Sequence, residues 1–331
     1  PSLPNLYAIK VGYNTGFTFD LSDLSGRTNI REIFALETYI VGDMDVLASN
    51  TGMTTLDLGC WEIYWGGRCN VSGHMSTLTN MMDLQYLSLD GLLNIEGTLE
   101  PLYNKTRLNA VDLSHNSLTG IIGTGIGNLT GLWWLDLDDN LLEWTLPVEM
   151  YNLTQLTDLW IEDNLLSGAL LDFSLFPVLE WLHIGKNSDI DYSNVWDMVL
   201  NYNLRTLDIN QADIGWEIPD IWDDFTNLTE LDLGFARLSG PMPASWASLT
   251  NLQDLGIHFN NLEGPIPSFL DDLQLDQGKF QIESNCLDTD VSDNNLFNYL
   301  QAHAQWWNNQ LNCRANVEVE GSLDENGLVP G

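Results

Sequence analysis

LNAVDLSHNSLTGIIGTGIGNLTG (residues 108–131) runs directly into LWWLDLDDNLLEWTLP (132–147). Leu108, Val111, Leu113, Asn116 and Leu118 return as Leu132, Leu135, Leu137, Asn140 and Leu142, each 24 residues further on. Self-similarity at a fixed period of this length marks a stack of like units, each burying its apolar edge against the next. Outward from this pair, the frame L-x-x-L-x-L opens at Met53, Leu84, Leu108, Leu132, Leu156, Leu179, Leu204, Leu228 and Leu252. The single long spacing, Met53 to Leu84, contains CWEIYWGGRC (60–69), a hairpin-sized insertion whose Cys60 and Cys69 would clamp its base. A weaker tenth turn is visible at Phe280, Ile282 and Asn285.

Within each turn a short strand sends alternate residues inward and outward, and parallel pairing of successive strands makes one long sheet. The recurring Asn (Asn116, Asn140, Asn164, Asn187, Asn260) can bond backbone groups where the chain leaves the sheet. Leaving such buried groups unpaired would cost roughly 1–3 kcal/mol each. Before Met53 no repeat is legible. Tyr13–Leu24 reads as a short strand and turn, and Asn29–Leu47 has a moderately helical apolar pattern. After Asn285, Asp293–Asn312 reads as a helix with Leu296, Leu300, Trp307 and Leu311 on or near one face. The expected organisation is an N-terminal cap and candidate connector strand (1–52), about nine to ten repeats (53–285), a helical C-terminal cap (286–313) and a tail (314–331) containing NVEVE.

The full motif, N-x-L-x-G-x-I-P after L-x-x-L-x-L, is clearest in LDLGFARLSGPMP (231–243), LGIHFNNLEGPIP (255–267), LDINQADIGWEIP (207–219) and VDLSHNSLTGIIG (111–123). It resembles the plant-type extracellular leucine-rich repeat family, which includes receptor ectodomains and polygalacturonase-inhibiting proteins. The resemblance covers about residues 53–285. It implies an α/β leucine-rich-repeat solenoid, with a parallel sheet on the concave face and a C-terminal cap stapled by Cys286 and Cys313. The chain departs from the family pattern in three places. No cap with Trp and paired cysteines is recognisable in 1–50, Ala212 and Ala236 stand where the ladder Asn belongs, and the Cys60–Cys69 insertion is additional.

Charge narrows the partners. With 11 Lys+Arg against 47 Asp+Glu, the 331-residue chain carries a net charge of −36. Nucleic acid is excluded as a partner class, because phosphate binding needs a basic footprint. Two close cysteine pairs near the ends, with no CxxC, and five N-x-S/T sequons point to disulfides in an extracellular, oxidising compartment. No apolar run is long enough to span a membrane. The chain starts at Pro1 without a basic-then-apolar leader, as expected of a mature or trimmed form.

On the family geometry, the outward column of the strands reads Asp57, Ser88, Asp112, Asp136, Trp160, His183, Asp208, Asp232 and Gly256. Carboxylates stacked about 4.8 Å apart repel, so raised pKa values, local hydrogen bonds or a shared cation are expected. Ca²⁺ is the candidate cation for this acidic face, and the competing reading is a merely solvated surface. Trp134, Trp160, Trp181 and His183 fall on successive strands, as at sugar-stacking or protein-binding surfaces. Together with Asp112, Asp136, Asp208 and Asp232 they form the expected ligand-binding face. The sequons are Asn70, Asn104, Asn128, Asn152 and Asn227, and three of them are 24 residues apart. N-glycans there would direct partners to the concave face or the ends.

Catalysis finds little support. The five His fall in separate turns, there is no HExxH, GxSxG or P-loop, and no metal-ligand spacing is present. The expected function is non-catalytic recognition of a protein, peptide or glycan by a secreted or cell-surface module. Alternatives are a glycosylated subunit self-associating end to end through its terminal segments into an extracellular filament or matrix, and an inhibitor of a cell-wall-degrading glycosidase. Ice binding by a regular sheet fits less well, because the columns carry acids and Trp rather than ordered Thr.

Overall fold

The computed structural model describes residues 5–14, 16–60, 69–304 and 306–311. Contacts divide the chain into two units, Pro1–Asp213 and Ile214–Gly331.

In the first unit, parallel strands pair in sequence order from Ala8–Lys10 and Glu32–Phe34 through Thr55–Asp57, Tyr86–Ser88, Ala110–Asp112, Trp134–Asp136, Asp158–Trp160 and Trp181–His183 to Thr206–Asp208. Each is three residues long, and from Glu32–Phe34 onward its middle residue (Ile33, Leu56, Leu87, Val111, Leu135, Leu159, Leu182, Leu207) is buried in the core. Register is set by this one-in, two-out pattern, since a slip of one residue would turn the apolar side chain to solvent.

Two findings concern the residues before Met53. Strands Ala8–Lys10 and Glu32–Phe34 lie on the same sheet, although no repeat was legible there. The helical reading of Asn29–Leu47 is corrected: the segment holds strand Glu32–Phe34, strand Tyr39–Asp43 and a 3-10 turn, Met44–Leu47. Its apolar residues mix a strand period with a turn period, and the sum imitates a helix.

A second parallel sheet runs through the same turns: Thr18–Asp20, Tyr39–Asp43, Asn70–His74, Asn94–Gly97, Ser117–Ile121, Leu141–Trp144, Leu165–Ala169 and Asp189–Asp191. These strands are the x-L-x-G-x portion of the motif, with Leu118, Leu142 and Leu166 buried. Gly97 sits at φ +115, and a Cβ there would approach the His74 ring to 2.7 Å, so glycine is required by both conformation and space. The remaining side of the turn is closed by short 3-10 segments such as Thr124–Asn128 and Val148–Asn152. Pro147 caps the latter; it has no amide hydrogen to leave unpaired there.

The asparagine ladder forms as expected. Asn140 Nδ2 donates to the carbonyls of Leu113, Leu137 and Asp138 at 2.9–3.1 Å, and its Oδ1 accepts from the Leu118 amide at 3.0 Å. Asn116, Asn164 and Asn187 repeat the donor set. The residue before each rung, His115, Asp139, Asp163 and Lys186, has a left-handed backbone with φ of 50–53°. Cys60 and Cys69 form the expected disulfide, while the residues between Cys60 and Cys69 lie outside the described ones.

The second unit pairs Glu230–Asp232 with Asp254–Gly256 and then Phe280–Gln281. Asn260 and Asn285 supply its rungs. The terminal helix is shorter than expected, Asn294–His303. It buries Leu296 and Leu300, and Trp307 packs in the core just after it, but Leu311 is exposed. The helix stops because the chain turns back to close the open edge of the stack. The Ser284 amide donates to the Asn309 carbonyl, Gln310 bridges Ile282 and Asn285, and the Leu311 amide donates to the Asn285 carbonyl. Cys313 and the NVEVE tail lie outside the described residues, and with them the expected Cys286–Cys313 pairing.

Candidate recognition face

Strand pairing brings the expected columns into being. In the first unit Asp57, Ser88, Asp112, Asp136, Trp160, His183 and Asp208 are successive partners across the sheet. The neighbouring column reads Ala110, Trp134, Asp158, Trp181 and Thr206. Trp160 therefore lies diagonally between Trp134 and Trp181. In the second unit Asp232 is half-buried and pairs with Gly256.

Depth is the unexpected property of the acidic column. Asp112 is only 5 % exposed and Asp136 and Asp208 are each 8 % exposed, so these carboxyls form a submerged row rather than a solvated face. The row doubles with Asp90 and Asp138, each two residues past the end of its strand and equally deep. Each turn ties one carboxylate oxygen to its own backbone. Asp112 Oδ1 accepts from the Ser114 amide and hydroxyl, Asp136 Oδ1 from the Asp138 amide, and Asp208 Oδ1 from the Asn210 amide and side chain.

Loss of water, with repulsion between neighbours, favours the neutral acids. Burial pushes the Asp57 carboxyl up to about 6, with the Asp90 charge adding to the effect. Burial and Asp90 likewise take Asp112 up to about 7. Asp138 rises to about 10 through burial, Asp136 and Glu162. Asp136 is raised well above the carboxylate range by burial and then by Asp112.

Further along, Glu162, His183 and Asp208 converge from three successive turns, with one ligating atom of each within 4.8 Å of the others. Lys186 Nζ donates to Glu162 Oε1 at 3.1 Å. Burial disfavours the Lys186 charge, but Glu162 and Asp163 outweigh it and hold its pKa above the usual value. The Trp160 ring lies flat on His183, with centroids 3.8 Å apart and 13° between planes.

The tryptophans divide by role. Trp222 and Trp246 are core residues, whereas Trp134, Trp160 and Trp181 remain partly exposed. Trp133, which the strand pattern did not single out, is exposed beside Trp134 with ring centroids 5.9 Å apart. Phe235 and Phe259 stack at 4.4 Å in the second unit, each on the left-handed residue of its turn. That position is displayed by conformation rather than by strand alternation. All five sequon asparagines, Asn70, Asn104, Asn128, Asn152 and Asn227, are exposed. Asn128 and Asn152 are the last residues of successive 3-10 segments, and Asn104 lies two residues past the preceding one, Glu100–Leu102.

Residues 107–129 match the family model described as Leucine Rich Repeat. The chain has the leucine-rich-repeat fold. No curated protein matches the chain. Among solved structures, the plant peptide hormone receptor RGFR1 in complex with RGF2 is similar in fold, with a TM-score of 0.65 and 23% identity, covering 86% of this chain and 44% of that one. PEPR1-AtPEP1 gives a TM-score of 0.66 at 23% identity, covering 86% and 42%. A plant ice-binding protein gives 0.51 at 21% identity, covering 65% and 69%. The chain thus spans less than half the length of the first two of these chains, and the likeness is one of leucine-rich-repeat architecture.

Proposed function

We propose that this leucine-rich-repeat chain is a non-catalytic recognition module of an extracellular or cell-surface protein, and that it binds a peptide segment along the first unit's tryptophan strip. The observation that carries the reading is the placement of Trp134, Trp160 and Trp181 on three adjacent strands, partly exposed, in a chain that buries other tryptophans fully. Aromatic side chains of this kind supply large contact area at small entropy cost. Half-buried Asp158 sits between Trp134 and Trp181 in the same column, which favours a basic side chain in the ligand. Two similar structures bear the names of a peptide hormone receptor in complex with RGF2 and of PEPR1-AtPEP1, which supports a peptide over a glycan.

Selection from a phage-displayed peptide library on the intact chain tests this. Enriched peptides are expected to carry Lys or Arg beside apolar residues, and to lose at least about tenfold in affinity on the W134A/W181A double variant, on the order of 1.4 kcal/mol. That pair leaves the Trp160–His183 stack in place. Equal affinity for the variant and the intact chain would remove the strip from the reading.

A further inference from the structure

One cluster on this sheet is not explained by peptide recognition. Glu162 and Asp208 each have one carboxylate oxygen held by protein and another left over, and neither ring nitrogen of His183 makes a hydrogen bond. Glu162 Oε1 accepts from Lys186, while Glu162 Oε2 is buried with no hydrogen-bond partner. Asp208 Oδ1 accepts from Asn210, while Oδ2 faces His183 Nδ1 at 3.6 Å, too long for a hydrogen bond. His183 Nε2 is buried without a partner, on a side chain only 9 % exposed. A buried imidazole that makes no hydrogen bond, with Nδ1 3.6 Å from Asp208 Oδ2 and a ring nitrogen within 4.8 Å of a Glu162 oxygen, is costly unless something fills the space among the three.

We propose that Glu162, His183 and Asp208 bind one first-row divalent transition-metal ion of the Zn²⁺ or Co²⁺ type. The donor set is one imidazole and two carboxylates, which suits these ions; Ca²⁺ and Mg²⁺ take oxygen ligands alone. Distances are compatible. Metal bonds of about 2.0–2.2 Å put ligand atoms roughly 3–4 Å apart, and these three lie within 4.8 Å before any ion draws them in. The surroundings already orient the ligands. Lys186 holds Glu162 Oε1, Asn210 holds Asp208 Oδ1, and the Trp160 ring fixes the imidazole plane. Outer partners of this kind set the direction of metal ligands. The Asp138 carboxylate also accepts from the Glu162 amide at 2.7 Å, fixing the backbone that carries the first ligand. The site stands whether or not a peptide binds nearby.

Titration of the intact chain with CoCl₂ in millimolar MgCl₂, followed by visible absorption, tests the assignment. The expected result is one Co²⁺ per chain with a d–d band that Zn²⁺ displaces. E162Q, which keeps the side chain's shape, and H183Q are each expected to weaken binding by at least about tenfold, as a lost ligand must cost no less than a lost outer partner. Circular dichroism checks that each variant is folded, and if H183Q does not fold, E162Q decides alone. Absence of a stoichiometric band, removal of the ion by Mg²⁺ as from a diffuse acidic surface, or wild-type affinity in folded E162Q would each overturn the proposal.

Discussion

Asp112 shows what burial does to a single carboxyl in this protein. In an unfolded chain it ionises near pH 3.9, and in the folded protein near 7. Between those values the folded state keeps a proton that the unfolded state has lost. Its contribution to stability is therefore complete below about pH 4 and is lost as pH rises through 7. D112N, which stays neutral throughout, is expected to match the native protein near pH 4 in urea unfolding. Near pH 8 it should exceed it by up to about 4 kcal/mol. Parallel stability curves for the two proteins across that range would refute the account. The alternation of in and out made Asp112, Asp136, Trp160 and His183 legible in the sequence as one column. Their depth was not, because it comes from the closeness of neighbouring turns rather than from any local pattern. His183 and Asp208 were legible as neighbours in that column, but Glu162 was not joined to them, because it lies on another turn beyond the end of strand Asp158–Trp160.

Among the elements, the asparagine rung is the most exacting. Replacing Asn140 by Ala takes the acceptor from the buried Leu118 amide and one of two side-chain donors from the Leu113 carbonyl, which keeps Asn116. The expected cost in urea unfolding is about 2–4 kcal/mol. Ser167→Ala, on the second sheet, is the control and should cost under about 0.5 kcal/mol. A rung variant as mild as its control would mean that water satisfies those groups. The first sheet, the rungs and the terminal helix were readable because each has a strong period or fixed polar residue. The second sheet was not, since each of its strands has at most one buried residue and five of the eight carry a glycine at positive φ, which in sequence read as loop. The left-handed residue before each rung left no trace either, because His115, Asp139, Lys186 and Phe259 share no chemistry.

For the whole molecule, charge dominates. The few cations form rungs of their own between turns, as in Arg107–Asp83 and Arg205–Glu180 at 2.7 Å, but exposed pairs of this kind contribute little. A net charge of −36 is left to repel itself. The submerged acids add to this above pH 6, because Asp57 and Asp112 are then forced to ionise. The melting temperature is therefore expected to be higher near pH 5 than near pH 8, the reverse of ordinary acid denaturation. Added NaCl should raise it near pH 8 by screening the surface charges. Calorimetry across pH and salt checks both signs, and a maximum near pH 8 would contradict them.

The rungs also have a mechanical consequence. Asn140 is bonded to the turn before it as well as to its own, so no turn of the first unit is complete by itself. A turn at the end of the stack has lost one of its two neighbours, and force applied to the chain ends would strip it first. Each such event frees 24 residues, about 80 Å of contour at full extension. Pulled from its ends in an optical trap, the first unit should lengthen in a staircase of near-equal steps, a ruler-like record of the spacing between Leu108 and Leu132.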